Sequence, residues 1–441
     1  MTKPAVKIAA FGALSTTTAT NADTMEVCMK KLLPIVLLVV LCVSLSLGVL
    51  AGCETTKPVV GLIALHDSNS TYDKNFIDAF EAACQAKGLK KGEYVIVTNV
   101  PESEECYNKA AELADAGCKA VFADSFGHED HILRAAEEFP NVQFCHATGV
   151  NAVLKKTTLT NYHNAFASIY EARYIAGVAA GLKLKDMIDT NTLPATSKMA
   201  DGNYKIGYVG AYTYAEVISG YTSFYLGVKS VVENVVMDVT FTGSWYDQAK
   251  EKSAAEALIA GGAALVSQHA DSMGAPTACE TAKVPNVTYN VSTATECPDT
   301  YVIASRINWQ PYFEIMIDGV LNGKEIPNDW TGTMKTGSVE TLAIGKAAAA
   351  NTETKLAEVK AAIENGTLKV FDTSKFTVTV NEKLNKGAVV DENGHLTSYK
   401  VKVNGTETDA VANGAFNEST LRSAPYFDIQ IDGITLLNVK F

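Results

Sequence analysis

A short apolar run, a polar loop and then an amphipathic helix recur along this chain, and no other pattern in it restricts the fold as strongly. Val59-Val60-Gly61-Leu62-Ile63-Ala64-Leu65 is apolar throughout and of strand length. His66-Asp67-Ser68-Asn69-Ser70-Thr71 is polar, and beyond it Phe76, Ala79, Phe80 and Ala83 fall at helical spacing. Such a unit builds parallel α/β sheets, and those sheets gather ligand groups in the loops that follow their strands. The unit returns at Ile206 to Gly210, before a polar, aromatic loop and a helix from Val217 to Val228. Lys119-Ala120-Val121-Phe122 is echoed by Ala263-Ala264-Leu265-Val266, and Pro140-Asn141-Val142-Gln143-Phe144 by Pro285-Asn286-Val287-Thr288-Tyr289. The echoes share a shift of about 145 residues. They predict two similar α/β domains in tandem, each a doubly wound parallel sheet. The alternative, one large sheet, would stretch a single core beyond its usual size.

The first domain is expected to have strands near 59–65, 94–98, 119–123 and 142–146, with helices at 72–87, 103–116 and 128–138. The second is expected to have strands near 205–210, 235–240, 263–268 and 286–290, with helices near 215–230, 246–260 and 273–282. Between them Thr160-Asn161-Tyr162-His163-Asn164 leads into a predicted long helix, Ala165 to Leu184. A strand from Tyr301 to Ser305 and a helix from Pro311 to Leu321 follow. Beyond Trp330 the composition changes. Residues 346–365 read as an Ala/Lys/Glu-rich helix ending at Gly366, and Asn-Gly pairs at 393–394, 404–405 and 413–414 signal hairpins. Residues 346–441 are therefore expected to form a helix and β-rich appendage.

Met29-Lys30-Lys31, the apolar run Leu32 to Leu50 and Leu50-Ala51-Gly52-Cys53 are laid out as a secretory signal, so 1–52 are expected to be a leader. Its last four residues resemble a bacterial lipobox, which predicts a lipid on Cys53 and a short tether over 53–58. A transmembrane anchor is the alternative, but Pro34, Ser44, Ser46 and Gly48 dilute the run. Residues 1–28 fit no part of a signal that has its own start at Met29 or Met25. The net charge of −12 and the lack of a long basic run argue against nucleic acid as a partner. Six cysteines follow Cys53, with no CxxC and no metal-like spacing; Cys84, Cys118 and Cys145 sit in apolar contexts that suit free, buried thiols.

Enzyme signatures are missing: the chain has no GxSxG, HExxH, P-loop or GxGxxG. No catalytic residues and no cofactor are expected. His128 and His131 could form a metal pair but suit a helix start better, and Asp67 and Asp73 suit a loop and a helix N-terminus. Binding is better supported, because polar and aromatic groups collect after strands in both halves. In the first half these are His66, Asp67, Tyr72, Asp124, Ser125, Phe126 and His146; in the second, Tyr212, Tyr214, Trp245, Tyr246, Gln268, His269, Asp271 and Asn290. Two domains facing across a cleft would offer stacking faces and hydrogen-bonding groups to one small ligand.

Ser244-Trp245-Tyr246-Asp247, Cys145-His146-Ala147-Thr148-Gly149, Glu171-Ala172-Arg173-Tyr174-Ile175-Ala176-Gly177 and Ser267-Gln268-His269-Ala270-Asp271-Ser272 resemble motifs of the basic membrane protein family. These lipoproteins are related to the purine nucleoside receptor and are substrate-binding subunits of ABC importers. Phe371 to Phe376 and Arg422 to Asp428 extend the likeness. The resemblance implies a type I periplasmic-binding-protein fold with a hinge. Its lobes would be 59–163 plus about 296–326 and 164–295 plus about 327–345, with crossings near 162–165, 295–305 and 323–330. It places the stacking aromatic on Trp245 and keeps Asp67, Asp73, Lys74 and Phe76, with Ile77 where the family has Asn. Two family carboxylates become His146 and Asn290, and Arg306 stands for a basic residue near the last crossing. These changes shift the implied ligand from a purine nucleoside toward a free purine base or related heterocycle. The implied protein is a monomeric, lipid-anchored, extracytoplasmic solute-binding protein that passes its ligand to ABC permease subunits. A sensory lipoprotein of the same fold is the alternative.

Overall fold

In the computed structural model the described residues are 57–154, 159–403 and 405–439, so the expected leader and Cys53 lie outside them. The first apolar runs become β1 (Val60–Ile63), β2 (Tyr94–Val97), β3 (Ala120–Ala123), β4 (Gln143–Ala147) and β5 (Tyr162–Ala167). Helices α1 (Thr71–Ala86), α2 (Glu104–Ala116) and α3 (Glu129–Glu138) alternate with them. After α4 (Tyr170–Asp189) the pattern repeats with β6 (Tyr204–Gly210), α5 (Ala215–Lys229), β7 (Val235–Phe241), α6 (Gln248–Ala260), β8 (Val266–Gln268), α7 (Gly274–Ala282), β9 (Asn286–Tyr289) and β10 (Tyr301–Ile307). Then come α8 (Gln310–Asn322), β11 (Asp329–Gly332), β12 (Val339–Thr341) and α9 (Thr352–Glu364).

The strands form two sheets, ordered β11-β5-β4-β3-β1-β2 and β12-β10-β9-β8-β6-β7 with one further strand beyond β7. The core order is the same in both, as the sequence echo requires. Each sheet reverses its winding direction at one place, between β1 and β3 or between β6 and β8. Ligands of open α/β sheets bind at such switch points. Side chains on both faces of β1 and β3 are buried, as in a parallel sheet covered by helices. One such layer stacks Phe76 of α1 on Trp309, ring centres 4.3 Å apart.

The chain passes between the sheets at other places than expected. All of β5 lies in the first sheet, paired with β4, so the expected border at 163/164 cuts through a strand and the long helix begins only at Tyr170. β10 pairs with β9 in the second sheet rather than joining the first lobe. β11 pairs with β5 in the first sheet, not the second. Crossings therefore fall at 167–170, 307–310 and 332–339. In the first two a strand completes one sheet and its helix covers the other, so the border lies in the turn between them. α4 then packs on α5. A Cβ on Gly177 would come within 2.1 Å of Phe224 O, and one on Gly227 within 2.2 Å of Tyr174 O. Two glycines thus let the helix backbones touch, closer than larger side chains would allow.

Residues 346–439 are not an appendage. Helix α9 packs on α4. The hairpin strands β13 (Ala388–Val390), β14 (Leu396–Val403), β15 (Thr406–Asp409), β16 (Val411–Ala412) and β17 (Ala415–Phe416) lead to β18 (Ile434–Leu436). β18 pairs in parallel with β7 and covers an edge that would otherwise be open. The same segment reaches the first sheet, where Ser423 donates to both carboxylate oxygens of Asp329. Among the described residues no helix is long and apolar enough to cross a membrane.

Candidate functional site

The first wall of the cleft is built from the ends of β1 and β3. Ser70 caps α1, its hydroxyl accepting from Asp73 N at 3.3 Å. Consecutive amides then hold two carboxyl groups side by side: Leu65 N donates to Asp124 Oδ1 (3.1 Å) and His66 N to Asp73 Oδ1 (2.7 Å). The His66 ring nitrogen Nδ1 lies 3.3 Å from Asp73 Oδ2. Burial pushes the Asp73 carboxyl up, but the bonds from His66 and Ser70 outweigh it and hold the group below its ordinary range. Asp124 differs. Its Oδ2 is buried without a partner, and burial, with the Asp73 charge beside it, raises its carboxyl well above the ordinary range. The Tyr72 hydroxyl donates to Asp124 O at 2.9 Å. Beyond β4, Thr148 has φ +64°, a left-handed conformation that a β-branched residue rarely takes outside functional sites.

The second wall is aromatic and buttressed from beneath. The loop after β7 carries Trp245, and Asp247 caps α6 by accepting from Lys250 N at 3.0 Å. Glu251, buried, accepts from Asp247 N (2.9 Å) and Ser272 N (3.0 Å), so it pins the Trp245 loop to the loop after β8. Asp271 N donates to Trp245 O at 3.0 Å. Tyr212 stacks on Tyr214 and meets the Trp245 ring edge-on, with ring centres 5.1 and 4.9 Å apart. The Asp271 carboxyl is raised well above its usual range, first by burial and then by the nearby Glu251, Asp73 and Glu216.

The walls meet. Thr71 N donates to Asp271 O at 2.8 Å, His66 lies 5.5 Å from the Tyr246 ring, and Phe126 faces Tyr214 at 5.1 Å across the mouth. A narrow cavity remains between them. His66, Tyr72, Ser125, Phe126, Trp245, His269 and Asp271, all from the strand-end pattern, line it, as does Asp73, which the resemblance named. Leu65, Thr148 and Glu216 line it too, and among the described residues no Lys or Arg does. Glu216 was missed because it sits in the first turn of α5, where an acidic residue is ordinary.

The other expected ligand residues stand elsewhere. Asp67 turns back to accept from Asn69 N and Nδ2 in its own exposed loop. Phe76 is core packing. His146 lies behind the wall, its Nε2 2.7 Å from Ser125 O, and Tyr212 backs Trp245. Asn290 supports Asp271, its Nδ2 3.4 Å from Oδ1. Arg306 pairs with Glu340 on β12 at 2.6 Å and does not line the cavity. His128 Nε2 bonds to Val100 O rather than pairing with His131, and no metal-ligand cluster occurs among the described residues. The six cysteines are free and buried.

Two doubly wound sheets of one strand order, facing each other across a closed cleft, define a solute-binding protein of the type I periplasmic-binding fold. A solved solute-binding protein of an ABC transporter system from Aeropyrum pernix K1 has this fold, with a TM-score of 0.58 and 13% identity over 74% of this chain and 95% of that one. Residues 61–375 match the Bmp family model, described as ABC transporter substrate-binding protein, PnrA-like, and the chain belongs to that family. A purine-binding protein of Brucella abortus is 32% identical over 251 residues, 57% of this chain and 65% of that protein. A putative ABC transporter glucose-binding protein of Haloferax volcanii is 27% identical over 245 residues, 56% of each. The match spans less than two thirds of either relative's length.

Proposed function

We propose that this protein is an extracytoplasmic, lipid-anchored solute-binding subunit of an ABC importer and that its ligand is a purine base or a similar planar heterocycle. One observation carries the reading: an indole and carboxyl groups from both lobes converge on a small cavity, and among the described residues no Lys or Arg lines it. The indole gives a flat stacking face, and carboxyl groups accept the N–H groups on the edge of a heterocycle. The purine-binding relative supports the same class. A hinge at the three crossings would open the lobes to admit the ligand, and the closed form would be presented to the permease.

Calorimetric titration of the detergent-solubilised protein with adenine, hypoxanthine, adenosine and glucose tests the ligand class. Tight binding of a base is expected, and binding of glucose alone would sink the purine reading. The anchor is tested separately by fractionating Cys53→Ala. Release from the membrane is expected, and a processed variant that resists a salt wash would remove the lipid.

A further inference from the structure

Among the described residues the buried cation beneath the second wall has no counterpart in the first. Arg173, on α4, is 1% exposed. Its guanidinium lies flat over the Tyr289 ring, 3.5 Å from the centroid. Nη1 donates to Gln268 O at 3.0 Å, and Nη2 lies 3.1 Å from His269 Nδ1. A guanidinium has only donors, so His269 Nδ1 must accept, and the proton of the neutral ring sits on Nε2. Burial favours that neutral ring. Nε2 lies 3.5 Å from Glu216 Oε1, and the Glu216 side chain lines the cavity. Gly220 leaves room for the assembly, since a Cβ there would stand 3.2 Å from His269 Nδ1. Arg173 and His269 share one hydrogen bond of fixed direction, and His269 Nε2 faces the Glu216 carboxylate on the cavity wall at 3.5 Å.

We propose that Glu216 is the specificity-determining acceptor of the cleft, with Arg173 and His269 as its positioning residues, so that the site selects a heterocycle presenting an N–H donor there and rejects one presenting a carbonyl. The inference rests on the purine reading and deepens it. A carboxylate held by a His donor can only accept. An amino group completes a charge-assisted bond, whereas a carbonyl brings two acceptors face to face in a desolvated site. Among the described residues no Lys or Arg lines the cavity to relieve the clash. Sites built around a required hydrogen bond discriminate more sharply than apolar pockets do.

Calorimetry with two matched pairs tests this: adenine against hypoxanthine, which differ in an amino or oxo group on the six-membered ring, and guanine against xanthine, which differ likewise at another carbon. The wild type should prefer the amino member of at least one pair by about 100-fold. Glu216→Gln, whose amide also donates, should bring that ratio to within about tenfold, chiefly by gaining affinity for the oxo member. His269→Asn should also lower the ratio, by loosening Glu216, although no ligand need touch it. Glu216→Asp keeps an acceptor and should retain the preference at lower affinity, which covers the case that Glu216→Gln folds poorly. A ratio unchanged in folded Glu216→Gln, or a wild type without preference in either pair, overturns the proposal and leaves the purine reading standing. A wild type that binds no purine at all overturns both.

Discussion

The loops after β1 and β6 hold equivalent places in their sheets, one on each side of the cleft, and both lead into a helix whose first turn carries an acidic residue on the cavity wall, Asp73 or Glu216. The surroundings of those acids differ. Asp73 is held by the His66 amide and ring and by the Ser70 cap, which keep it below its ordinary range, while burial works against charge on Asp124 beside it. Glu216 is held by His269, which is held in turn by a buried guanidinium. A duplicated backbone thus fixes where a polar group stands, and the residues packed beneath it decide what holds it. The contrast implies that removing the deepest charged group should have opposite effects on the two sides.

Arg173→Ala should do the most damage. It leaves Gln268 O and His269 Nδ1 without their donor and empties the space over Tyr289, and each buried acceptor left unpaired costs about 1–3 kcal/mol. Chemical denaturation is the check, and a loss under about 1 kcal/mol would mean that the cation does not hold the second wall together.

Trp245→Ala comes next, read in binding rather than stability. Stacking on a planar heterocycle is worth about 1–3 kcal/mol, so affinity should fall by about one to two powers of ten, and Trp245→Phe should recover part of it. If affinity holds while the melting temperature drops, the indole serves Tyr212 and Tyr214 as packing and not the ligand.

Asp124→Asn should stabilise. The folded carboxyl titrates well above its ordinary value, so the folded state binds the proton more tightly than the unfolded state does. Wild-type stability therefore falls as pH rises above about 3.8 toward the raised folded value. Asparagine keeps an acceptor for Leu65 N and cannot ionise. A gain of about 1–2 kcal/mol at neutral pH, shrinking on acidification, is expected from denaturation across pH. A loss at neutral pH would show that the Asp124 charge is paired after all, and the contrast between the walls would fail.

Asp67→Ala should change least, within about 0.5 kcal/mol in both stability and affinity, because Asp67 bonds chiefly to Asn69 in its own exposed loop. A larger loss of affinity would put Asp67 back at the ligand.

Much of this was legible in sequence. Apolar runs such as Val59 to Leu65 and helices such as 103–116 were read to within a few residues, because burial on both faces and helical periodicity are local signals. Tyr162 to Ala167 was misread as leading into a helix, since its Tyr, His and Asn residues hide a strand whose partners, β4 and β11, lie far along the chain. At the cavity, His66, Tyr72, Ser125, Phe126, Trp245, His269 and Asp271 were legible because their position after strands is a topological fact visible in the pattern.

The sequence by itself therefore determined the repeat, the sheets, their loops and the family. The tertiary structure alone decided where the chain crosses between the sheets, that residues 346–439 complete the second sheet instead of hanging from it, and which polar residues reach the cavity. Glu216, His269 and Arg173 come from three separate elements, and Arg306 and Asp67 are drawn aside by Glu340 and Asn69. The direction in which a polar side chain points is set by the partner nearest to it in space, and strand and helix periodicity carries no record of that partner.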